Sequence, residues 1–172
     1  MPHALESLIR DIADFPKPGI VFKDITPLLA DAAGLALAVE LMANPFRKCG
    51  VDLVVGAESR GFIFGTAIAQ SLNAGFIPVR KPGKLPHQRR AKTYELEYGN
   101  DTLEMHADAI RGHHRVLMVD DLLATGGTMK ACCDLVEELG GQIVGISVLI
   151  ELAFLNGRER VKPHEVASVL RY

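Results

Sequence analysis

Four consecutive apolar residues, Val116, Leu117, Met118 and Val119, run into two adjacent carboxylates and then into a turn of small residues, so that the stretch reads VLMVDDLLATGGT. No other feature restricts the fold of this chain so tightly. A strand that is apolar at every position must be covered on both faces, which is the habit of parallel sheets packed between helices. Beyond the turn, Ala131, Cys132, Leu135, Val136 and Leu139 fall at helical spacing, and Gly140-Gly141 ends the pattern. A strand, a Gly-rich turn and a helix start leave backbone N–H groups unpaired and aim the positive end of the helix dipole at one point, which suits an anion.

Ala124, Thr125, Gly126, Gly127 and Thr128 are therefore the candidate phosphate cradle. It is not a P-loop, which ends in Gly-Lys-Ser/Thr, and it lacks the Gly-x-Gly-x-x-Gly of a dinucleotide turn. Asp120 and Asp121 must face something other than the phosphate. Carboxylates in that position serve sugar hydroxyls or hydrated magnesium, and a ribose phosphate offers both needs; capping of the helix is the plain structural alternative.

The same grammar recurs along the chain. Strands at 51–55, 76–79, 116–119 and 143–150 alternate with helices at 62–72 and 129–139, which predicts an α/β fold with a mostly parallel sheet flanked by helices and ligands at the carboxyl ends of its strands. Residues 56–61, GAESRG, form a second small-residue turn entering a helix, so Glu58, Ser59 and Arg60 mark a second anion site on the same sheet edge. Arg60 suits a bidentate phosphate contact, with a surface helix cap as the alternative. Upstream, the spacing of Leu5, Leu8, Ile9 and Ile12 predicts an N-terminal helix, followed by a Pro-rich segment at 15–27 and a helix at about 34–43. Residues 81–92 are basic and hold Pro and Gly, predicting an exposed loop. TYELEYGNDTLEMH, residues 93–106, alternates apolar and acidic positions around a Gly-Asn-Asp turn and predicts a hairpin. Loop and hairpin together would make an inserted flexible flap over the site.

Composition narrows the function classes. A chain of 172 residues, 48% of them hydrophobic, is one domain's worth, spanning 1–172. A net charge of -2 argues against a generic nucleic-acid or membrane surface. No apolar stretch approaches the length of a membrane span, and the start MPHALESLIRD lacks the pattern of a secretory leader. Cys49, Cys132 and Cys133 are an odd count with two adjacent on a helix, which is no disulfide framework; a reducing cytoplasm is the expected setting. The six histidines lack the spacing of a metal site.

Five segments, FPKPGIVFKDITPLL, GAESRGFIFG, IPVRKPGKLP, YELEYG and VLMVDDLLATGGT, resemble the adenine phosphoribosyltransferase family of the type I phosphoribosyltransferase class, across nearly the whole chain. The basic run HQRRAKT departs from that family's pattern. The resemblance implies a type I phosphoribosyltransferase fold with a small N-terminal hood. It implies purine salvage: ribose 5-phosphate passes from phosphoribosyl pyrophosphate to N9 of adenine, giving AMP and pyrophosphate. Magnesium is required and is held by the donor's pyrophosphate and ribose oxygens rather than by protein ligands. Ala124 to Thr128 would take the 5-phosphate, Asp120 and Asp121 the ribose hydroxyls, and Glu58, Ser59, Arg60 and Lys81 the pyrophosphate, with a cis peptide at Glu58-Ser59. Val21, Lys23 and Leu152 would form the base pocket. Glu97 would be the general acid/base, with Glu95 its rival on the same hairpin face. No nucleic acid or membrane partner is expected, and a homodimer is the expected assembly. A regulator of the same fold would add a basic nucleic-acid-binding domain, which is not evident in this sequence.

Overall fold

The computed structural model describes residues 3–95 and 99–172. A single helical turn, α1 (His3–Glu6), leads into an antiparallel ribbon of β1 (Arg10–Ala13) and β2 (Val21–Asp24), then two helices, α2 (Thr26–Ala30) and α3 (Ala32–Ala43). Next come β3 (Leu53–Ala57), α4 (Arg60–Leu72) and β4 (Gly75–Val79), and an antiparallel hairpin of β5 (Arg89–Glu95) and β6 (Asn100–His106). The chain finishes with β7 (Arg115–Leu123), α5 (Gly127–Glu138), β8 (Gln142–Glu151), α6 (Gly157–Arg160) and β9 (Val166–Arg171). The central sheet has five strands in the order β4-β3-β7-β8-β9, every adjacent pair parallel.

β7 explains its own composition. Val116 and Met118 belong to one core cluster and Leu117 and Val119 to the other, because successive side chains leave a strand on opposite faces and both faces of this one are covered. On the first face lie Leu135 and Val136 of α5 with Leu103 and Met105 of the hairpin; on the second lie Leu28, Met42, Phe64 and Ile68 from the helices before β4. α5 stops where the glycines predicted. Gly140 adopts φ 85°, its N–H donates to Glu137 O at 2.9 Å, and Gly141 N–H donates to Val136 O at 2.9 Å, the paired bonds of a Schellman cap.

Three sequence expectations are corrected, and one strand is added. The N-terminal helix ends at Glu6, and Ile12 lies instead in β1, paired with Phe22. A short isolated helix gains little by itself, whereas the turn at 14–20 returns the chain to satisfy this backbone by strand pairing. Residues 89–92, expected within an exposed loop, begin β5: Arg89 pairs with His106 and Lys92 with Leu103. Charged side chains are compatible with a strand of a two-stranded ribbon, so basic composition is no bar to pairing. β7 runs on past Val119 to Leu123, in register with β8 as far as Leu123 and Glu151, which puts Asp120 and Asp121 inside the strand rather than beyond it. β9, which carries no separate signal, closes the sheet beside β8.

Candidate active site

The carboxyl ends of β3 and β7 open on a cavity of ≈ 280 Å³ lined by Glu58, Ser59 and Arg60 from one turn and by residues 120–129 from the other. A larger cavity of ≈ 1140 Å³ shares Thr125, Gly127 and Thr128 with it. Its remaining wall includes Val21 and Lys23 of β2, Tyr94 and Glu95 of the hairpin, and Leu152, Phe154 and Tyr172 beyond β8.

The shared rim is the turn before α5. Gly126 sits at φ 82° as the residue preceding the helix, a conformation that glycine adopts without strain, and a Cβ there would come 2.6 Å from Gly157 O. α5 is twelve residues long, so its first turn presents free N–H groups and roughly half a positive charge to this rim. Thr128 Oγ1 lies 3.2 Å from the hydroxyl of Tyr94, which fastens the hairpin to the turn.

Asp121 is 5% exposed, and its Oδ2 is 2.9 Å from Arg60 Nε. Its backbone N–H donates to Asp120 Oδ1 at 2.9 Å. Gly61 is what lets Asp120 fit, since a Cβ at that position would come 2.9 Å from Asp120 Oδ1. Burial first, and then the neighbouring Asp121 charge, push the Asp120 carboxyl well above the usual carboxylate range. Burial raises Asp121 as well, with Arg60 acting in the opposite sense. Arg60 thus offsets part of the cost of burying the two acids side by side.

The second turn gathers cations around one carboxylate. Arg80 Nε donates to Glu58 Oε2 at 2.9 Å, Lys81 N–H donates to the same oxygen at 2.8 Å, and Lys84 Nζ pairs with Oε1. Burial opposes ionisation of Glu58, but Lys84, the Lys81 amide and Arg80 outweigh it and bring the pKa down to about 2. The Lys81 ammonium pairs with Asp101 and Lys81 lines neither cavity, so it joins the other candidate residues through its backbone N–H to Glu58. The Glu58–Ser59 peptide is cis.

On the far side, β2 pairs with β1 alone, which leaves its other edge without a strand partner among the described residues. Val21 is 51% exposed at this rim. Lys23 Nζ donates to Asp11 Oδ1 at 2.7 Å and lies 3.9 Å from the ring centroid of Tyr172. Leu152 N–H donates to Leu123 O at 2.9 Å, tying this wall to β7. Glu97 lies outside the described residues; Glu95, its rival, is exposed and lines the larger cavity.

Tyr94, Phe154, Arg160 and Tyr172 line the site without having been singled out as binding residues. Tyr94 was legible as one face of the hairpin, but GRER at 157–160 belongs to no recognisable motif. Cys132 and Cys133 pack in the core; burial pushes the Cys132 thiol up well above the usual range and the Cys133 thiol to about 12, so neither is a nucleophile. Among the described residues no group of three or more His, Cys, Asp or Glu side chains is placed to hold a metal ion.

A profile of the phosphoribosyl transferase domain matches residues 25–170. A protein of Koribacter versatilis named adenine phosphoribosyltransferase is 57% identical over 169 residues, covering 98% of this chain and 93% of that one. The crystal structure of adenine phosphoribosyltransferase from Thermoanaerobacter pseudethanolicus superposes with a TM-score of 0.97 at 47% identity, covering 100% of each chain. The Saccharomyces cerevisiae enzyme of that name, crystallised with D-2,5-dideoxy-2,5-imino-altritol 1,6-bisphosphate and adenine, gives a TM-score of 0.93 at 36% identity over 98% of each chain.

Proposed function

The chain belongs to the adenine phosphoribosyltransferases, and on that premise we propose how its two cavities divide the transfer of ribose 5-phosphate from phosphoribosyl pyrophosphate to N9 of adenine, which leaves AMP and pyrophosphate. One junction carries this reading. Thr125, Gly127 and Thr128 belong to both cavities, so a ribose phosphate held there has room for a base on the apolar side and for a diphosphate on the side of Ser59 and Arg60.

Ala124, Thr125, Gly126, Gly127 and Thr128 take the 5-phosphate through peptide N–H groups and the two threonine hydroxyls. Asp120 and Asp121 accept the ribose hydroxyls. As the bond from C1′ to pyrophosphate breaks and the bond to N9 forms, positive charge gathers on the sugar, and a carboxylate nearby lowers that state more than the ground state. Arg60 then has a second anion to serve, and the backbone of Glu58 and Ser59 with Arg80, Lys81 and Lys84 receives the leaving diphosphate. The unpaired edge of β2 at Val21 and Lys23 reads the edge of adenine, with Val21 and Leu152 against the ring. Glu97 carries the proton that leaves N9 or enters at N7; this role comes from the family resemblance.

Two adjacent carboxylates, one already paired with Arg60, fall short of a protein cage for magnesium and suit an ion that keeps water and binds mainly through substrate oxygens. Its contribution when bound is neutralisation of charge on the departing pyrophosphate. One domain spanning 1–172, a homodimer and a cytoplasmic setting complete the proposal. The dimer is the commonest soluble assembly, and the basic segment near Lys84 offers it a surface. The three free cysteines fit a reducing compartment.

Steady-state assays with adenine, hypoxanthine, guanine and xanthine test the reading. Turnover is expected with adenine alone; comparable turnover of another purine, or none with adenine, overturns it. Sedimentation at micromolar concentration is expected to give a dimer, and a fully active monomer would refute that part.

A further inference from the structure

Among the described residues, the cations around the two cavities are spoken for, with one exception. Arg60 is held by Asp121, Arg80 and Lys84 by Glu58, Lys81 by Asp101, and Lys23 by Asp11. Within α6 the contrast is sharper. Arg158 donates from Nε and Nη2 to both oxygens of Glu151, at 2.6 and 2.7 Å, and from Nη1 to Val166 O at 2.7 Å, so it is consumed by the scaffold. Arg160, two residues on, lines the larger cavity and has no carboxylate partner among the described residues.

Its position relative to the phosphate turn is set by backbone. A Cβ on Gly157 would come 2.4 Å from Ala124 O, so α6 and the turn touch main chain to main chain with no room to move closer. Arg160 stands against the two glycines of that turn: a Cβ on Gly126 would lie 3.2 Å from Arg160 Cβ, and a Cβ on Gly127 would lie 3.7 Å from Arg160 Nη1. The guanidinium is therefore beside the start of α5, where the peptide N–H groups converge, in a cavity that also holds Thr125 and Thr128. A phosphate dianion bound there meets a helix end worth roughly half a charge and two hydroxyls, which leaves most of its charge uncompensated.

We propose that Arg160 is a binding residue for the ligand's phosphate group, supplying the free cation at a cradle otherwise built from peptide N–H groups and hydroxyls. This rests on the functional reading above, since it takes the occupant of the rim to be a nucleoside 5-phosphate. Arginine suits the task because its planar fork offers paired donors to phosphate oxygens, and an unpaired guanidinium need break no ion pair to do so.

Binding of AMP and of adenosine to the full chain, measured by calorimetry for the parent, Arg160→Gln and Arg160→Lys, tests it. The parent is expected to bind AMP more tightly than adenosine. Arg160→Gln should weaken AMP by about tenfold, equivalent to about 1.4 kcal/mol, and leave adenosine unchanged. Arg160→Lys, which keeps the charge, should recover most of the loss. AMP affinity of Arg160→Gln within about twofold of the parent overturns the proposal, as does an equal loss for AMP and adenosine, which would mean that the side chain only packs. A parent chain that binds AMP no better than adenosine overturns the functional reading itself, and the Arg160 contact with it.

Discussion

Arg60 Nε and Asp121 Oδ2 meet at 2.9 Å, closing an ion pair between the turn after β3 and the end of β7. The pair joins the candidate pyrophosphate turn to the candidate ribose acids, and the donor must be accommodated on both sides of it. Arg60 is a third exposed while Asp121 is almost buried, so the carboxylate depends on this partner more than the guanidinium does.

That asymmetry makes Asp121→Asn informative. The amide keeps the shape and loses the charge that opposes the positive sugar at the moment of transfer. We expect kcat to fall by about 10²-fold while the donor Kd moves by no more than about threefold, from single-turnover rates and direct donor titration. A loss confined to Kd would mean that Asp121 only shapes the ground state.

Glu58 gives a pH signature. Its pKa stands at about 2 in the folded chain against 4.5 for the ordinary side chain. A depressed folded value means that the carboxylate contributes stability above about 4.5 and loses that contribution as pH falls towards about 2. Glu58→Gln removes the contribution at every pH. The gap in urea midpoint between parent and variant should therefore be widest at neutral pH and narrow steadily below about 4.5; a gap independent of pH counts against the Arg80, Lys81 and Lys84 cluster as its origin.

Gly157→Ala tests the contact between α6 and the phosphate turn. The new methyl would meet Ala124 O at 2.4 Å and Gly126 N at 3.2 Å, and both are main-chain atoms that cannot swing aside. Overpacking of this kind costs about 1–3 kcal/mol of stability, and displacement of the turn should weaken AMP by about tenfold or more. Gly112→Ala is the control: nothing lies within 4 Å of its Cβ, and its melting behaviour should stay within about 0.5 kcal/mol of the parent. Equal behaviour of the two variants would show that the turn adjusts freely.

Glu97 and Glu95 separate by substitution. Glu97→Gln should lower kcat by about 10²-fold, the usual contribution of a general acid/base, with donor affinity little changed. Glu95→Gln, at an exposed position on the cavity wall, should be mild. A Glu97→Gln enzyme within about threefold of the parent, a barrier change below about 0.7 kcal/mol, would remove this carboxylate from the chemistry.

Much of this architecture can be read from neighbouring residues. Val116 to Thr128 show an apolar run, a small-residue turn and a helix start within one short window, and each is decided by periods of 2 and 3.6 and by the conformational freedom of Gly126 and Gly140. The N-terminal ribbon was harder. Leu5, Leu8, Ile9 and Ile12 fit a helix in isolation, and only the return of the chain to set Ile12 opposite Phe22 makes β1 a strand.

What the sequence determined by itself is the order of strand, turn and helix around β3, β4, β7 and β8, the small-residue turns that follow β3 and β7, and the burial of β7 on both faces. What only the tertiary structure decided is which charge meets which. Any lysine or arginine can pair with any acid, and nothing local tells Lys81 to choose Asp101, leaves Arg160 without a carboxylate among the described residues, or brings the Tyr94 hydroxyl to Thr128 across 34 residues of chain. Periodicity is a property of adjacent residues, whereas an ion pair is a property of two surfaces that become neighbours only after the sheet has closed and water has been excluded between them.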